Sequence, residues 1–392
     1  MDGTETRQPL RPSAPASTGA AVPRLSIIVV NYRQWENTAA LAGQVLSSQA
    51  AARGDVEIMV VDNHSPPHRL LPQLRRTEGV SLRRWGRNHG FARAVNEGVR
   101  LSRGSWLLLL NPDMSVTPGF IEGVIGHADR LAASAPRAGI VGFQVRDGDN
   151  GLQPSVGRFP TLLRCLVGLI MPRCRRRCQV VASRRRRQVD WVSGCCLLIR
   201  KECFDDVGGL DKHFFLYYED VDLCRRARDR GWTVWHEPTL RVVHHEPLHR
   251  RRVPPMLRLV VRHSLLTYAA RHWPRWQLRV LGAIVRLEAW LRWLLGHCRR
   301  NRHAGGVAGE QAALAGEMAR GNFRAARRRL SRAIRRQERT GGLAAHYNTH
   351  HHELEPRLQL GARCTSGREA PQSPRTGIPQ PDDAACLASI DG

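Results

Sequence analysis

The chain has 392 residues, is 42% apolar and carries a formal net charge of +27. That apolar fraction is ample for one large domain with a buried core plus a smaller one. The excess charge favours anionic partners, namely nucleotide diphosphates, anionic lipid headgroups or nucleic acid. Nucleic acid is set aside, because the chain holds neither a zinc finger nor an aromatic-glycine RNA-binding box. Nearly all the basic residues are arginine, with lysine only at Lys201 and Lys212. The ten cysteines include no two CxxC pairs at zinc spacing and read as thiols of a reducing compartment.

Residues 1–23 have no apolar core of signal-peptide length, so they predict a disordered tail and no secretion. Leu25–Val30 (LSIIVV) is a continuous apolar run of the kind buried on both faces of a sheet, and it ends at Asn31-Tyr32. Helical spacing follows over Asn37–Gln49. Val56–Val61 (VEIMVV) predicts a second buried strand ending at Asp62-Asn63. Leu70–Arg76 predicts a short helix, Val80–Trp85 a third strand and Gly90–Leu101 another helix. Trp106–Leu110 is a fourth strand and stops at Asn111-Pro112-Asp113. This alternation implies an α/β protein with a mostly parallel, doubly wound sheet. Ligands bind such sheets beyond the carboxyl ends of the strands. Asn31, Asp62 and Asp113 stand at three such ends.

Residues 158–189 are less regular. Leu162–Met171 is apolar, and two arginine clusters follow within Arg173–Arg187, read as a mobile loop or short helices near the site. In the run from Asp190 to Glu246, Glu219, Asp220 and Asp222 stand at the opening of a helix. A short strand and the pair His244-His245 come after it. Cys195 and Cys196 read as small apolar strand residues rather than catalytic thiols.

Beyond Glu246 the pattern is helical and very basic. Trp276–Leu295 contains Arg279, Arg286, Glu288 and Arg292, which is too charged for a comfortable membrane span. Its tryptophans and arginines suit an amphipathic helix lying in a membrane interface; a helix packed on the catalytic domain is the plainer alternative. Gln311–Arg339 is a further basic helical stretch. The resulting division is a tail at 1–23, an α/β domain at 24–250, a basic helical extension at 251–345, and a disordered tail at 346–392.

Taken together, these motifs resemble glycosyltransferase family 2 enzymes of GT-A fold, in the bacterial rhamnosyltransferase-like branch. The resemblance covers about residues 24–246 and rests on five segments. They are Asn111-Pro112-Asp113, Asn88-His89-Gly90-Phe91-Ala92 with Asn96, Trp191 to Gly194, Tyr218-Glu219-Asp220-Val221-Asp222, and Val242-Val243-His244-His245. It implies an inverting sugar transfer from a nucleotide diphosphate, the donor being dTDP-rhamnose by likeness to the branch alone. The implied acceptor is a hydroxyl of a bacterial surface glycan or lipid-linked glycan. The enzyme would be cytoplasmic and peripheral on the inner face of the cytoplasmic membrane, held by an anionic membrane surface.

Such chemistry needs a neutralised leaving group, a nucleotide held in register, and a base for the acceptor hydroxyl. The resemblance gives the first task to a divalent cation, Mg²⁺ or Mn²⁺, at Asp113, with His244 favoured over His245 as its partner. Asn111 stands where the usual motif has its first acid, as a neutral oxygen ligand or a supporting residue. Asn31, Tyr32, Asp62, Asn88, Gly90 and Asn96 are the implied nucleotide-sugar contacts, although Asp62 also suits a turn acid and Asn88 a helix cap. Gly90 would let the backbone approach the diphosphate at a helix N-terminus. Asp220 aligns with the general base, beside Glu219. Trp191, Ser193 and Gly194 would line the acceptor side, the indole offering a face to a sugar ring. Two rival readings remain. One is another nucleotide-sugar enzyme on the same sheet. The other is a catalytically inactive, membrane-associated nucleotide-sugar-binding protein.

Overall fold

The computed structural model describes residues 22–170, 185–245, 255–298 and 302–339. Most of the expected tails, and the arginine clusters up to residue 184, lie outside the described residues.

The strands are β1 (Leu25–Asn31), β2 (Val56–Asp62), β3 (Val80–Arg84), β4 (Trp106–Leu110), β5 (Met114–Val116) and β6 (Ala138–Asp147). They continue with β7 (Val156–Gly157), β8 (Arg187–Gln188), β9 (Trp191–Val192), β10 (Cys196–Arg200) and β11 (Thr233–His244). The helices of the first 250 residues are α1 (Trp35–Leu46), α2 (Gln49–Ala52), α3 (Leu71–Arg76), α4 (Phe91–Leu101), α5 (Phe120–Ser134), α6 (Leu162–Ile170), α7 (Lys201–Asp206) and α8 (Glu219–Asp229). Four more follow: α9 (Pro255–His272), α10 (Arg275–Cys298), α11 (Arg302–Ala319) and α12 (Phe323–Arg339).

One large sheet runs in the order β3-β2-β1-β4-β10-β6-β11-β5, with β8 on β11. The first four strands are parallel, as their apolar runs predict. The sheet becomes mixed at β10, which lies antiparallel to both β4 and β6. β10 therefore begins at the edge where β4 ends. The second half of this sheet eludes the sequence pattern: β11 is twelve residues long rather than short, and its pairing with β6 slips between Glu237 and Arg241.

The continuous apolar runs are explained by helices on both faces. Ile28, Val30, Leu107 and Leu109 join the core containing α4 and α8. Leu25, Ile27, Val29, Leu108 and Leu110 join the core containing α1 and α5. Each such side chain contributes roughly 1.5–3 kcal/mol by leaving water. The helix expected over Asn37–Gln49 is divided, because Ser48 caps a new short helix by accepting from the Ala51 amide at 3.1 Å.

The C-terminal helices share the first of these cores. Leu259 and Tyr268 of α9, Leu281 of α10, Leu314 of α11 and Leu330 of α12 are buried in it. Among the described residues, no helix is long and apolar enough to cross a membrane.

Asp222, in the first turn of α8, is fully buried. Its carboxylate accepts from Arg226 Nε at 2.7 Å and pairs with His272 Nε2 at 2.8 Å, fastening α8 to α9. Asp222→Ala leaves Arg226 and His272 without their partner, and should lower unfolding free energy by about 3–5 kcal/mol in denaturant titration. A loss below about 1 kcal/mol would show that the pair does not hold the two helices.

Candidate active site

Four strand ends and the opening of one helix build the site. β4 delivers Asn111-Pro112-Asp113, and β11 delivers His244. The two meet, with His244 Nε2 3.2 Å from Asp113 Oδ2. His245 lies instead beside Ser115, Nε2 to Oγ 2.6 Å. Pairing of His244 with Met114 across β11 and β5 fixes this choice, since neighbouring strand residues point to opposite faces. Behind His244, the Gln153 amide nitrogen lies 2.8 Å from Nδ1, and its oxygen 3.2 Å from the same atom. Gln153 belongs to no motif and was not anticipated.

Asp113 and His244 fit part of a divalent cation's shell. Two neighbouring ligands of a small octahedral ion, each about 2.1 Å from it, stand about 3 Å apart. No group of three or more His, Cys, Asp or Glu side chains gathers to hold a metal among the described residues. The remaining positions would fall to diphosphate oxygens and water.

The second acidic site opens α8. Tyr217 and Tyr218 both adopt left-handed backbone angles, φ 69°, a strained arrangement for two non-glycine residues in succession. Glu219 is then buried and Asp220 half-buried. Asp220 Oδ2 accepts from the Gly194 amide at 2.9 Å, and Oδ1 from the Val221 amide at 2.8 Å. The turn that carries Gly194 also reaches the first site, because the Cys195 carbonyl accepts from the Asn111 amide at 2.9 Å. Ser193–Cys195 thus links Asp220 to the Asp113 loop through two consecutive residues. Burial pushes the Cys195 thiol up to about 12, which makes it no nucleophile at neutral pH.

Burial, then the neighbouring Asp220 charge, raises Glu219 to about 8. Its Oε2 has no hydrogen-bond partner. A neutral carboxyl therefore sits beside the half-buried Asp220 at pH 7.

The nucleotide-side candidates separate. Asn31 and Asp62 are fully buried and bonded to each other, Nδ2 to Oδ1 3.0 Å. Asp62 also accepts from the Ser65 amide at 3.1 Å and from Arg84 Nε at 2.8 Å. Contact between Asp62 and a base would require Arg84 to move. Tyr32 and Asn88 lie together at the surface of this cluster, where both donate to Glu338, at 2.7 and 3.0 Å. Asn88 is not the helix cap; Gly90 is, and the Asn88 side-chain oxygen accepts from the Gly90 amide at 3.0 Å. Gly90 itself has φ +89°, and a Cβ there would lie 2.6 Å from the Phe215 carbonyl. The close approach that requires glycine is thus to Phe215. Asn96 spends its amide on the Leu210 backbone, donating at 2.7 Å and accepting at 2.9 Å, and so holds the loop leading toward α8.

Trp191 corrects an expectation. Its indole is not an open face for a sugar: it is 7% exposed, donates to the Arg158 carbonyl at 3.0 Å and packs against Gly157. Ser193 and Gly194 lie instead in the turn beside Asp220.

Comparison with known proteins places the chain in a family. The model of "Glycosyl transferase family 2" matches residues 26–208. An N-acetylglucosaminyl-diphospho-decaprenol L-rhamnosyltransferase of Mycobacterium tuberculosis is 30% identical over 275 residues, which is 64% of this chain and 86% of that protein. The Escherichia coli rhamnosyltransferase WbbL is 28% identical over 165 residues, 41% of this chain and 60% of that one. Among solved structures, a mannosyltransferase of Pyrobaculum calidifontis in complex with GDP-Man and Mn²⁺ overlays with a TM-score of 0.43 at 18% identity, over 80% of this chain and 86% of that one. GalNAc-T7 with UDP, GalNAc and Mn²⁺ gives 0.45 at 15% identity, and the chain spans half its length. The chain belongs to glycosyltransferase family 2. It is a glycosyltransferase that takes its sugar from a nucleotide sugar.

The Glu219 environment has a measurable consequence. Its folded value, about 8, lies above the ordinary carboxyl value of 4.5. From pH 4.5 to 8 the unfolded chain therefore loses this proton while the folded chain keeps it. Stability falls with rising pH across that window, by at most about 1.4 kcal/mol per pH unit. Glu219→Gln removes the titration. Its stability advantage over wild type should grow from pH 5 to pH 8 in parallel urea titrations; a difference independent of pH would refute the buried neutral acid.

Proposed function

We propose that the chain is an inverting glycosyltransferase that moves rhamnose from dTDP-rhamnose to a hydroxyl of a lipid-linked glycan. The observation that carries this reading is the turn Ser193–Cys195, bonded on one side to Asp220 and on the other to the Asp113 loop. The proposed base and the proposed leaving-group residues are thereby tied to one short segment. The sugar and acceptor are drawn from relatives named as rhamnosyltransferases, one of them for an N-acetylglucosaminyl-diphospho-decaprenol.

Asp220 takes the proton of the acceptor hydroxyl as its oxygen attacks the anomeric carbon, and the bond from that carbon to the diphosphate oxygen breaks. The Gly194 and Val221 amides fix the carboxylate's orientation during attack. Asp113 and His244 would hold Mg²⁺ or Mn²⁺, which when bound neutralises the diphosphate leaving group. Gln153 suits both states of His244. Its nitrogen donates to Nδ1 when Nε2–H faces Asp113, and its oxygen accepts from Nδ1–H when Nε2 turns its lone pair to a cation. The nucleotide lies against Tyr32 and Asn88, with Asn31, Asp62 and Ser65 as the buried network beneath.

Turnover of dTDP-rhamnose tests these roles. Asp220→Asn should leave donor affinity within a few-fold and lower turnover by roughly 10²–10⁴. Asp113→Ala should abolish metal-dependent donor binding. Normal turnover by Asp220→Asn, or full activity in excess chelator, would overturn the assignment.

Attachment to an anionic membrane surface fits the outer face of α10. Trp276, Leu287, Trp290, Leu291, Trp293 and Leu294 are exposed there. Trp273, just before α10, is partly buried and donates to the Pro160 carbonyl at 3.2 Å. Arginine near such a surface contributes about 1 kcal/mol each, fading within a Debye length. Co-sedimentation should therefore favour anionic over neutral liposomes and decline as salt rises. Equal binding to both, or retention through a high-salt wash, would count against peripheral attachment.

A further inference from the structure

The helix α12 reaches the nucleotide-side cluster from the far end of the chain. Glu338 Oε1 accepts from the Tyr32 hydroxyl at 2.7 Å and from Asn88 Nδ2 at 3.0 Å, while Oε2 faces Arg33 Nη2 at 3.4 Å. The Glu338 side chain is 11% exposed. It is the single acid among the seventeen residues of α12, eight of which are arginine. The acid therefore sits where the helix meets donor groups.

The rest of α12 is seated unevenly. Ala326, Leu330, Ala333 and Ile334 are buried, and Arg329 pairs with Glu310 at 2.9 Å and Glu317 at 3.1 Å. Those contacts anchor the first three turns. Close by, the positive charge of Arg327 opposes that of Arg93 on α4. Arg324, Arg328, Arg332 and Arg335 line an open cavity of about 490 Å³ with Arg327 and Ser331. Glu338, in the last turn, is what draws this end of a basic helix onto the nucleotide side.

We propose that Glu338 is an autoinhibitory contact. Its carboxylate occupies the hydrogen-bond donors of Tyr32 and Asn88 that a nucleoside diphosphate would use, so the last turn of α12 must withdraw before the donor binds. The inference rests on reading Tyr32 and Asn88 as nucleotide contacts. A carboxylate and a diphosphate repel at short range in a partly buried site, so the two states exclude each other. Apparent donor affinity is then the intrinsic affinity reduced by the fraction of molecules with the turn withdrawn.

The test is calorimetric binding of dTDP with Mg²⁺ to the full chain, as wild type, Glu338→Gln, Glu338→Ala, and Glu338→Ala with Asn88→Ala. Glu338→Ala should bind dTDP about tenfold tighter than wild type or better, with Glu338→Gln between them. The added Asn88→Ala should weaken binding again. In the wild type, dTDP should speed amide hydrogen exchange over residues 335–339. Unchanged or weaker binding by Glu338→Ala, while Asn88→Ala still weakens it, overturns autoinhibition and leaves Glu338 as a wall or a ligand contact. If Asn88→Ala has no effect in the Glu338→Ala background, the reading of the nucleotide site fails and the proposal falls with it.

Discussion

The Gly194 amide on Asp220 is the contact on which the candidate site depends. β10 runs antiparallel to β4, so its first residues lie beside the last residues of β4, with Cys196 opposite Leu110. The turn before β10 must therefore pass the Asp113 loop. It accepts at Cys195 from the Asn111 amide and, by donating from Gly194 to Asp220, also captures the first turn of α8. Backbone groups in such a place have to be paired, because an unpaired buried amide or carbonyl costs roughly 1–3 kcal/mol. Satisfying them holds two acidic sites, more than a hundred residues apart in sequence, at a fixed separation.

Burial then divides labour between neighbouring carboxyl groups. Glu219 and Asp220 are adjacent, yet one is enclosed and the other half-open. Two charges so close in a poorly solvated place would repel, and burial of Glu219 relieves this by keeping it protonated to about pH 8. Left-handed angles at Tyr217 and Tyr218 lead directly into this start of α8. Such backbone strain persists only where the surroundings hold it, here the Ser264 hydroxyl on the Leu216 carbonyl at 2.8 Å and the Asp222 link to α9.

The parallel half of the sheet is legible in the sequence because LSIIVV, VEIMVV and WLLLL are apolar on both faces, and a strand covered on both sides needs that pattern. The meeting of Asp113 with His244 follows from their places in the sheet, since Asp113 lies in the turn after β4 and His244 ends β11. The remainder depends on distant partners. Trp191 carries the same letter whether it faces a sugar or Gly157, and only the second strand pair, β7 with β9, decides. Asp222 follows Asp220 by two residues, but half a helical turn and the arrival of His272 bury it. Gln153 and Glu338 stand in no motif. Their contacts cross 91 and up to 306 residues, a distance that no local pattern encodes.

The C-terminal helices show why charge counts alone misjudge a helix. Four charged residues in Trp276–Leu295 argue against a membrane span, but they are not equivalent. Glu288 is drawn into pairs with Arg262 at 2.8 Å and Arg292 at 2.9 Å, and these arginines hold its carboxyl below the ordinary value despite burial. That face of α10 is committed to α9. Gly282, on another buried position, lets α11 approach so closely that a Cβ would lie 2.7 Å from Ala319. Arg279 and Arg286 remain outside, among the exposed tryptophans and leucines. A spanning helix would have to surrender the Glu288 pairs and expose them to hydrocarbon, at a cost of several kcal/mol. The same helix lying flat keeps them in the protein and offers only its outer face. The inner salt bridge is therefore a second constraint against a span, and it leaves the tryptophan-bearing face exposed.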